Sequence, residues 1–337
     1  MKYKNFGETG LRVSELSLGT MTFGESWGFG VGEGESKKIF SSYIDLGGNF
    51  IDTANVYTDG ESEKMLGRFL SEVERDRLVV STKYSLLTDS ENINALGNGR
   101  KCLTNSINRS LKQLGIEYID IYWVHAWYGD TNIQELLISM DALVRSGKVL
   151  YWGFSDTPSW VVSEARALSK ILGLSAPSAF QFEYSLVERT VETEIIPFCA
   201  THNVPMTTWA PLSGGLLTGK HHLGTEPDTK RAARAKLRST EKNNSIVNKL
   251  LELASGLGCS PEALALRWVL SRNDQIFPII GARSSAQLLD NIASLDQQVT
   301  QNALNELTTI SEPYGMFPAS FLSAERTRQV MFGKYSI

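Results

Sequence analysis

The stretch from Gly48 to Tyr57, GNFIDTANVY, places a carboxylate directly after a short apolar run. Phe50 and Ile51 are typical of a buried strand, so Asp52 is expected at the C-terminal end of that strand. Tyr57 follows five residues later, before the next helical pattern begins. A charge at the mouth of a buried strand is costly unless it has partners, which indicates that this strand end belongs to a polar site.

Apolar runs alternate with amphipathic stretches along the whole chain, which is the pattern of repeated strand and helix units around a parallel sheet. Strands are predicted at Leu16–Leu18, Phe50–Asp52, Leu78–Thr82, Ile119–Val124, Val149–Phe154, Ala179–Phe182, Val204–Thr208 and Ile276–Ile280. Helical periodicity is clear at Ser36–Leu46, Thr104–Leu114, Ile133–Ser146 and Val191–Ala200. Eight alternations in roughly 300 residues favour an α/β fold of the closed (β/α)₈ type, a TIM barrel, over an open sheet.

Segments outside the alternation are expected to close the two ends of the barrel. A β-hairpin around residues 7–10 is expected at the bottom, and the tail 313–337 is expected over the barrel mouth, where it would shape a pocket. No linker divides the chain, so a single domain over residues 1–337 is predicted. The long polar connection 213–245 either covers an anionic ligand or forms a solvated helix face. Its basic residues are Lys230, Arg231, Arg234, Lys236 and Arg238.

Composition and charge exclude several classes of partner. A net charge of −4 and a pI near 5.7 predict no attraction to nucleic acid or to an anionic membrane. Three widely spaced cysteines match neither a disulfide framework nor a metal site, and they suit a reducing cytoplasm. The N-terminus lacks an apolar signal core, and no uncharged apolar run approaches about 18 residues. A cytoplasmic protein is therefore expected, with its oligomeric state left open.

Three neighbouring strands end in polar or titratable groups. Asp52 and Tyr57 follow the second strand, Lys83 ends the third and His125 ends the fourth. Taken singly, these residues could be a helix cap, a rim aromatic, a surface charge and a core histidine. In a (β/α)₈ barrel, however, the C-terminal strand ends meet at one mouth, where active sites are built. Their occurrence at successive strand ends therefore predicts one catalytic cluster.

The settings of these four residues, FIDTANVY, VVSTKY and IDIYWVH, resemble the aldo-keto reductase superfamily over nearly the whole chain. The resemblance implies transfer of a hydride from NADPH to an aldehyde or ketone, with Tyr57 donating the proton. A lysine ammonium beside a tyrosine lowers the pKa of the phenol, so Lys83 is expected to activate Tyr57. Asp52 would hold Lys83, and His125 would orient the substrate carbonyl.

The resemblance also assigns the cofactor contacts. Ser155 and Asp156 would meet the nicotinamide carboxamide, although many family members carry asparagine at the second position. Trp209 would lie against the nicotinamide ring, and Arg283 would pair with the adenosine 2′-phosphate. The full set of residues implied for NADPH or NADP⁺ is Gly19, Thr20, Met21, Asp52, Ser155, Asp156, Gln181, Trp209, Ala210, Pro211, Leu212, Gly214, Leu216, Lys220, Gly281, Arg283, Gln287, Asp290 and Asn291.

The substrate is expected to be a small carbonyl compound whose identity the sequence does not specify. Four aromatic residues either line its pocket or pack at the rim: Trp27, Phe29, Trp127 and Tyr128. Some barrels of this family are regulatory subunits of potassium channels that bind the cofactor but catalyse weakly. Those subunits typically have asparagine where this chain has His125, which favours an enzyme. A sugar epimerase or another non-redox barrel is a third alternative, opposed by the lack of an evident metal cluster.

Overall fold

The computed structural model describes residues 1–220 and 236–335, and its centre is a closed barrel of eight parallel strands. In chain order these are β3 (Ser17–Gly19), β4 (Phe50–Asp52), β5 (Val79–Tyr84), β6 (Ile119–Val124), β7 (Val149–Ser155), β8 (Ala179–Glu183), β9 (Met206–Trp209) and β10 (Ile276–Gly281). Pairing of Ile280 with Leu18 closes the ring. All eight predicted strands are present, with ends within two residues of prediction. Several run past the last apolar residue because the backbone ladder continues into the polar mouth.

Helices surround the barrel and cover its outer face. They are α1 (Glu33–Asp45), α2 (Glu61–Leu70), α3 (Arg100–Leu114), α4 (Ile133–Arg145), α5 (Ser159–Leu172), α6 (Ile195–His202), α7 (Glu241–Leu257), α8 (Pro261–Leu270), α9 (Ser285–Ala293) and α10 (Gln301–Ile310). The first turn of α1 contains Glu33 and Glu35, whose charges suit a helix N-terminus but carry no apolar periodicity. The apolar pattern therefore placed the start of this helix three residues too late.

A two-stranded hairpin closes the bottom of the barrel, as predicted. Its strands are β1 (Tyr3–Asn5) and β2 (Arg12–Ser14), which pair antiparallel. Phe6 lies between the N-terminal ends of barrel strands, with its ring centroid 5.5 Å from that of Phe50 and 5.2 Å from that of Phe277. Gly7 adopts φ +57°, and a Cβ there would meet Pro205 Cδ at 2.4 Å, so only glycine fits this turn.

The tail contains two short helices, α11 (Ala319–Ser323) and α12 (Glu325–Phe332). Its large apolar side chains are exposed, among them Tyr314, Phe317 and Phe321. Near its start, Lys242 of α7 donates to the carbonyl oxygen of Glu312 at 2.5 Å. Of the basic residues in the connection 213–245, Lys236 and Arg238 are described, whereas Lys230, Arg231 and Arg234 lie outside the described residues.

Three chemical features of the described residues bear on function. Cys102 and Cys199 are buried free thiols, and Cys259 is half-buried and also free. Within residues 1–220 and 236–335, no helix combines the length and apolarity that crossing a bilayer requires. The same part of the chain contains no group of three His, Cys, Asp or Glu side chains placed to hold a metal ion.

Candidate active site

A cavity of about 460 Å³ opens at the C-terminal ends of the barrel strands. Of the residues predicted to act there, Asp52, Tyr57 and His125 line the cavity, while Lys83 lies fully buried beneath it. Predicted cofactor residues that also line it are Gly19, Met21, Asp52, Ser155, Asp156, Gln181, Trp209, Ala210, Pro211, Leu212, Gly214 and Gly281. The structure therefore brings the predicted catalytic cluster and most of the predicted cofactor residues together.

The ammonium of Lys83 has three hydrogen-bond acceptors, one for each of its N–H groups. It donates to Asp52 Oδ2 at 2.5 Å, to the carbonyl oxygen of Thr53 at 2.8 Å and to the hydroxyl of Tyr57 at 3.1 Å. An ammonium with no exposed surface is tolerated only when its charge is paired and its donors are satisfied. Lys83 is thus fixed with one N–H directed at the tyrosine hydroxyl.

The second oxygen of Asp52 is also satisfied. Asp52 Oδ1 accepts from Ser81 Oγ at 2.7 Å and from Gln181 Nε2 at 3.0 Å. These contacts come from β5 and β8, so the carboxylate connects strands on different sides of the barrel. They explain how an aspartate is accommodated at the end of a buried strand.

Burial and charge act in opposite directions on Tyr57 and Lys83. Burial raises the pKa of Tyr57, and although the Lys83 ammonium lowers it, the net shift is upward. Burial disfavours the charged form of Lys83, but Asp52 and Tyr57 outweigh it and raise the pKa of Lys83. The predicted lowering of the Tyr57 pKa is therefore wrong in direction, because desolvation exceeds the effect of the neighbouring charge. Tyr57 keeps its proton and Lys83 its charge at neutral pH.

His125 is held in its neutral form. Burial, with a further contribution from Lys83, holds the pKa of His125 well below its usual value. Its ring stands edge-on to that of Tyr57, with centroids 5.8 Å apart. Nδ1 is buried and has no hydrogen-bond partner among the described residues. A neutral imidazole offers one N–H donor, which suits a group that orients a carbonyl oxygen.

The opposite wall of the cavity offers polar groups that fit a nicotinamide carboxamide. Ser155 is buried at the end of β7, and its Oγ has no hydrogen-bond partner in the described part of the chain. A buried orphan hydroxyl is costly, so a ligand that supplies a partner would bind favourably. Next to it, Asp156 Oδ1 accepts from the indole N–H of Trp209 at 3.0 Å. These residues therefore fit the cofactor that the resemblance implies.

Backbone strain is concentrated at the same end of the barrel. Six non-glycine residues with positive φ follow the C-terminal ends of strands: Thr58, Asp59, Ser85, Asp156, Ala210 and Ser213. Each such residue costs free energy and persists where the surroundings require it, commonly at functional sites. Gly214 and Gly215 continue the left-handed path after β9, and both face open space. The strand ends thus form a shaped mouth rather than relaxed loops.

Comparison with known proteins identifies the family. The aldo/keto reductase family model matches residues 15–312. The chain belongs to the aldo/keto reductase family. Norsolorinic acid reductase of Aspergillus flavus is 33% identical over 93% of this chain and 81% of that protein. The aryl-alcohol dehydrogenase [NADP(+)] of Phanerodontia chrysosporium is 32% identical over 85% and 80%. A probable voltage-gated potassium channel subunit beta of Oryza sativa subsp. japonica is 34% identical over 88% and 92%. Family membership supports nicotinamide-dependent carbonyl reduction in general.

Three predicted cofactor residues of this aldo/keto reductase make other contacts. Thr20 is buried, and its hydroxyl donates to the backbone oxygen of Asp52 at 3.2 Å. Leu216 is buried in the hydrophobic core. Lys220 Nζ lies 3.6 Å from Glu262 Oε1. None of the three lines the cavity. The contacts of Thr20 and Leu216 are therefore structural.

Of the residues predicted for the adenosine end, Gly281 ends β10 and lines the cavity. The others lie at α9 and in the loop before it, outside the cavity: Arg283, Gln287, Asp290 and Asn291. The backbone N–H of Arg283 donates to Gln287 Oε1 at 2.9 Å, so this glutamine side chain already has a local role. Asn291 is buried and Asp290 is exposed. The N–H of Ser285, in the first turn of α9, donates to Glu35 Oε1 at 3.0 Å.

The four predicted substrate aromatics separate into different positions. Trp27 lines the cavity, and Phe29 is buried behind it with ring centroids 5.9 Å apart. Trp127 packs edge-on against Phe154 in the core, and Tyr128 is 54% exposed. Of the four, only Trp27 is therefore on the cavity wall. No described tail residue lines the cavity either, so the expected contribution of the tail to the pocket is not found among them.

Sequence reasoning missed several residues of the wall. They are Thr22, Val56, Leu86, Ser213, Ile279 and Ile280. Val56 and Leu86 lie in loops that follow strand ends, and this position could have indicated from the sequence that they line the cavity. Arg238, which the sequence placed in a basic cluster, lines the cavity and forms a two-point ion pair with Glu183, with Nη2 to Oε2 at 3.2 Å.

Proposed function

We propose that this protein reduces the carbonyl group of aldehydes or ketones with NADPH, reversibly, with Tyr57 as the proton donor. One observation carries the proposal: the hydroxyl of Tyr57, at the cavity surface, accepts a hydrogen bond from a fully buried, ion-paired lysine. Such a lysine stabilises the phenolate that forms when the tyrosine gives up its proton.

The bound cofactor would supply the hydride. Tyr57 would donate its proton to the carbonyl oxygen, and Lys83 would stabilise the resulting phenolate from 3.1 Å. Asp52 positions Lys83 and keeps it charged. His125, neutral because of its burial, would donate a hydrogen bond to the same carbonyl oxygen and orient it. In the reverse direction, Tyr57 would accept the alcohol proton.

The proposed cofactor is NADP(H). The Phanerodontia relative carries NADP(+) in its name. Arg283 is half-buried near the start of α9, where a guanidinium could bind a 2′-phosphate through two hydrogen bonds. Dissociation constants of NADPH and NADH, measured side by side, check this preference, and equal values would contradict it.

The proposed substrates are carbonyl compounds with an uncharged, apolar body. The apolar side chains of Trp27, Val56 and Leu86 line the cavity. Arg238 is the one cation among the described lining residues, and it is already paired with Glu183. A substrate carboxylate or phosphate would therefore lack an available cation on the described wall. The name of the aryl-alcohol dehydrogenase relative agrees with an aromatic substrate.

Tyr57→Phe tests the assignment of the proton donor. We expect the variant to lose about 10² to 10⁴-fold in turnover, because general acid catalysis contributes that much, while NADPH affinity stays unchanged. Steady-state rates with a panel of aryl and alkyl aldehydes and ketones, together with NADPH titration, provide the measurement. Tyr314→Phe, in the exposed tail, makes the same chemical deletion as a control. Near-normal turnover of Tyr57→Phe would exclude this tyrosine as the acid.

The same experiment distinguishes the regulatory alternative. The rice relative shows that chains this similar include proteins named as channel subunits. A wild-type protein that binds NADPH tightly but turns over none of the panel would support a binding role. His125, which the enzyme reading requires and which lines the cavity, favours catalysis.

A further inference from the structure

Asp156 occupies an unusual position on the cavity wall. It follows β7 directly and adopts φ +41°, a left-handed conformation that is uncommon for a residue with a side chain. The indole N–H of Trp209, at the end of β9, donates to its Oδ1 at 3.0 Å. The backbone conformation and the hydrogen bond together hold the carboxylate at the wall beside Ser155.

The charge of Asp156 is not balanced within the cavity. The other ionised groups at the described wall and floor form pairs, namely Lys83 with Asp52 and Arg238 with Glu183. Asp156 forms no ion pair with any described residue, and the Trp209 indole is an uncharged donor. The described part of the cavity therefore carries one excess negative charge, located at Asp156.

This charge reaches the reaction centre. The carboxylate of Asp156 acts on Tyr57, where it opposes formation of the phenolate, and it is itself stabilised by Lys83. A nicotinamide that passes a hydride to a carbonyl held by Tyr57 must lie in the same space. Its ring is neutral when reduced and carries one positive charge when oxidised.

We propose that Asp156 makes this site favour the oxidised cofactor over the reduced one, by placing an unpaired carboxylate beside the nicotinamide ring. The inference rests on the proposed function, since it assumes that a nicotinamide binds here. A fixed negative charge attracts the oxidised ring and has little effect on the neutral one, and the attraction is strong in a partly desolvated cavity. Asparagine at this position keeps an oxygen that can accept from the Trp209 indole N–H but carries no charge, so it would remove the preference.

The preference follows the ionisation of Asp156. Asp156 is exposed to the open cavity, and partial desolvation by the surrounding wall raises the pKa of its carboxyl to about 6, against the opposing effect of the Trp209 hydrogen bond. The residue is ionised at pH 8 and mostly neutral at pH 5, so the preference is present at pH 8 and lost at pH 5. The charged groups that act on it from other strands are Lys83 on β5 and Glu183 on β8. Burial lowers the pKa of His125, which favours its neutral form.

The test is the ratio of the dissociation constants of NADP⁺ and NADPH, measured by fluorescence titration at pH 8 and pH 5. For Asp156→Asn at pH 8, we expect the preference for NADP⁺ to fall by about tenfold, the effect of losing one charge-assisted interaction. Both forms of the cofactor carry the same phosphates, so the effect of phosphate protonation on the two dissociation constants cancels in their ratio. Asparagine tolerates the left-handed conformation, so the variant should keep the fold.

Asp59→Asn is a matched control. Asp59 also has positive φ, at +56°, and also accepts from an indole N–H, that of Trp27 at 3.2 Å, but it does not line the cavity. Its substitution should leave the ratio unchanged.

The wild-type protein gives an independent measurement, since its ratio should move toward that of Asp156→Asn between pH 8 and pH 5. An unchanged ratio in Asp156→Asn, or a wild-type ratio that does not respond to pH, overturns the inference and leaves the proposed function standing. Failure of both cofactor forms to bind overturns the inference and the proposed function together.

Discussion

At the level of single residues, the positions of polar groups at strand ends predicted which side chains meet at the cavity, but not the directions of their pKa shifts. Asp52, Lys83 and His125 were predicted because each ends an apolar run, and the structure places them around one cavity. The direction of the Tyr57 pKa shift depends on how completely the ring is desolvated, which local sequence does not encode. The left-handed conformation of Asp156 is likewise imposed by its surroundings.

Lys83 is expected to support both the chemistry and the stability of the protein. Lys83→Met should abolish most turnover and also destabilise the fold by roughly 3–5 kcal/mol, because it leaves the Asp52 carboxylate buried without its cation. The double variant Asp52→Asn with Lys83→Met removes both charges, so it should recover much of the stability without recovering activity. Urea unfolding and steady-state rates measure the two effects. If Lys83→Met kept wild-type rates, the lysine would have only a structural role.

At the level of elements, apolar periodicity predicted the eight barrel strands and four of the helices, but not their polar contacts. Glu63 is an example, since it lies in α2 among charged residues and nothing in the local sequence indicates that it is buried. In the structure it is fully buried: Thr82 Oγ1 donates to its Oε1 at 2.6 Å. The Gln113 amide, in the orientation that satisfies its neighbours, donates to its Oε2 at 2.7 Å. Helix α2 is thus fixed to β5 and α3 through a buried acid.

The buried acid predicts a pH dependence of stability. Burial raises the pKa of Glu63 from 4.5 to about 7. The folded state therefore binds this proton more tightly than the unfolded state does. The protonated Glu63 carboxyl contributes to the free energy of unfolding at low pH, and this contribution is lost as pH rises from about 4.5 through about 7. Relative to Glu63→Gln, the wild type should lose roughly 2–3 kcal/mol of unfolding free energy between pH 5 and pH 8.

Glu61→Gln, on the same helix but only half-buried, is the control and should follow the wild type. Denaturant unfolding at several pH values provides the measurement. Parallel curves for wild type and Glu63→Gln across this range would mean that the carboxyl titrates normally in the folded protein.

At the level of the whole molecule, the number of alternations was enough to predict a closed barrel, because eight parallel units close into a ring. The sequence also predicted the hairpin that closes the bottom. It did not predict which distant segments meet at the mouth. Arg238 and Glu183 are 55 residues apart, and nothing in the local sequence of either residue indicates the other as its partner. Long-range pairing of this kind needs the assembled barrel.

Phe6, which plugs the bottom of the barrel, and the cavity lie at opposite ends of the fold. A substitution at the bottom can therefore lower stability without changing the site. Phe6→Ala removes the plug ring that packs against Phe50 and Phe277, and we expect it to cost about 3–5 kcal/mol of unfolding free energy. The proposed catalytic groups at the mouth should keep their hydrogen bonds, so turnover and NADPH affinity well below the melting temperature should stay within about twofold of wild type. Asn5→Ala, exposed on the same hairpin, controls for changes in strand β1 and should affect neither quantity. Thermal unfolding and steady-state kinetics on the three proteins provide the comparison; a large fall in turnover for folded Phe6→Ala would show that the bottom of the barrel positions the mouth.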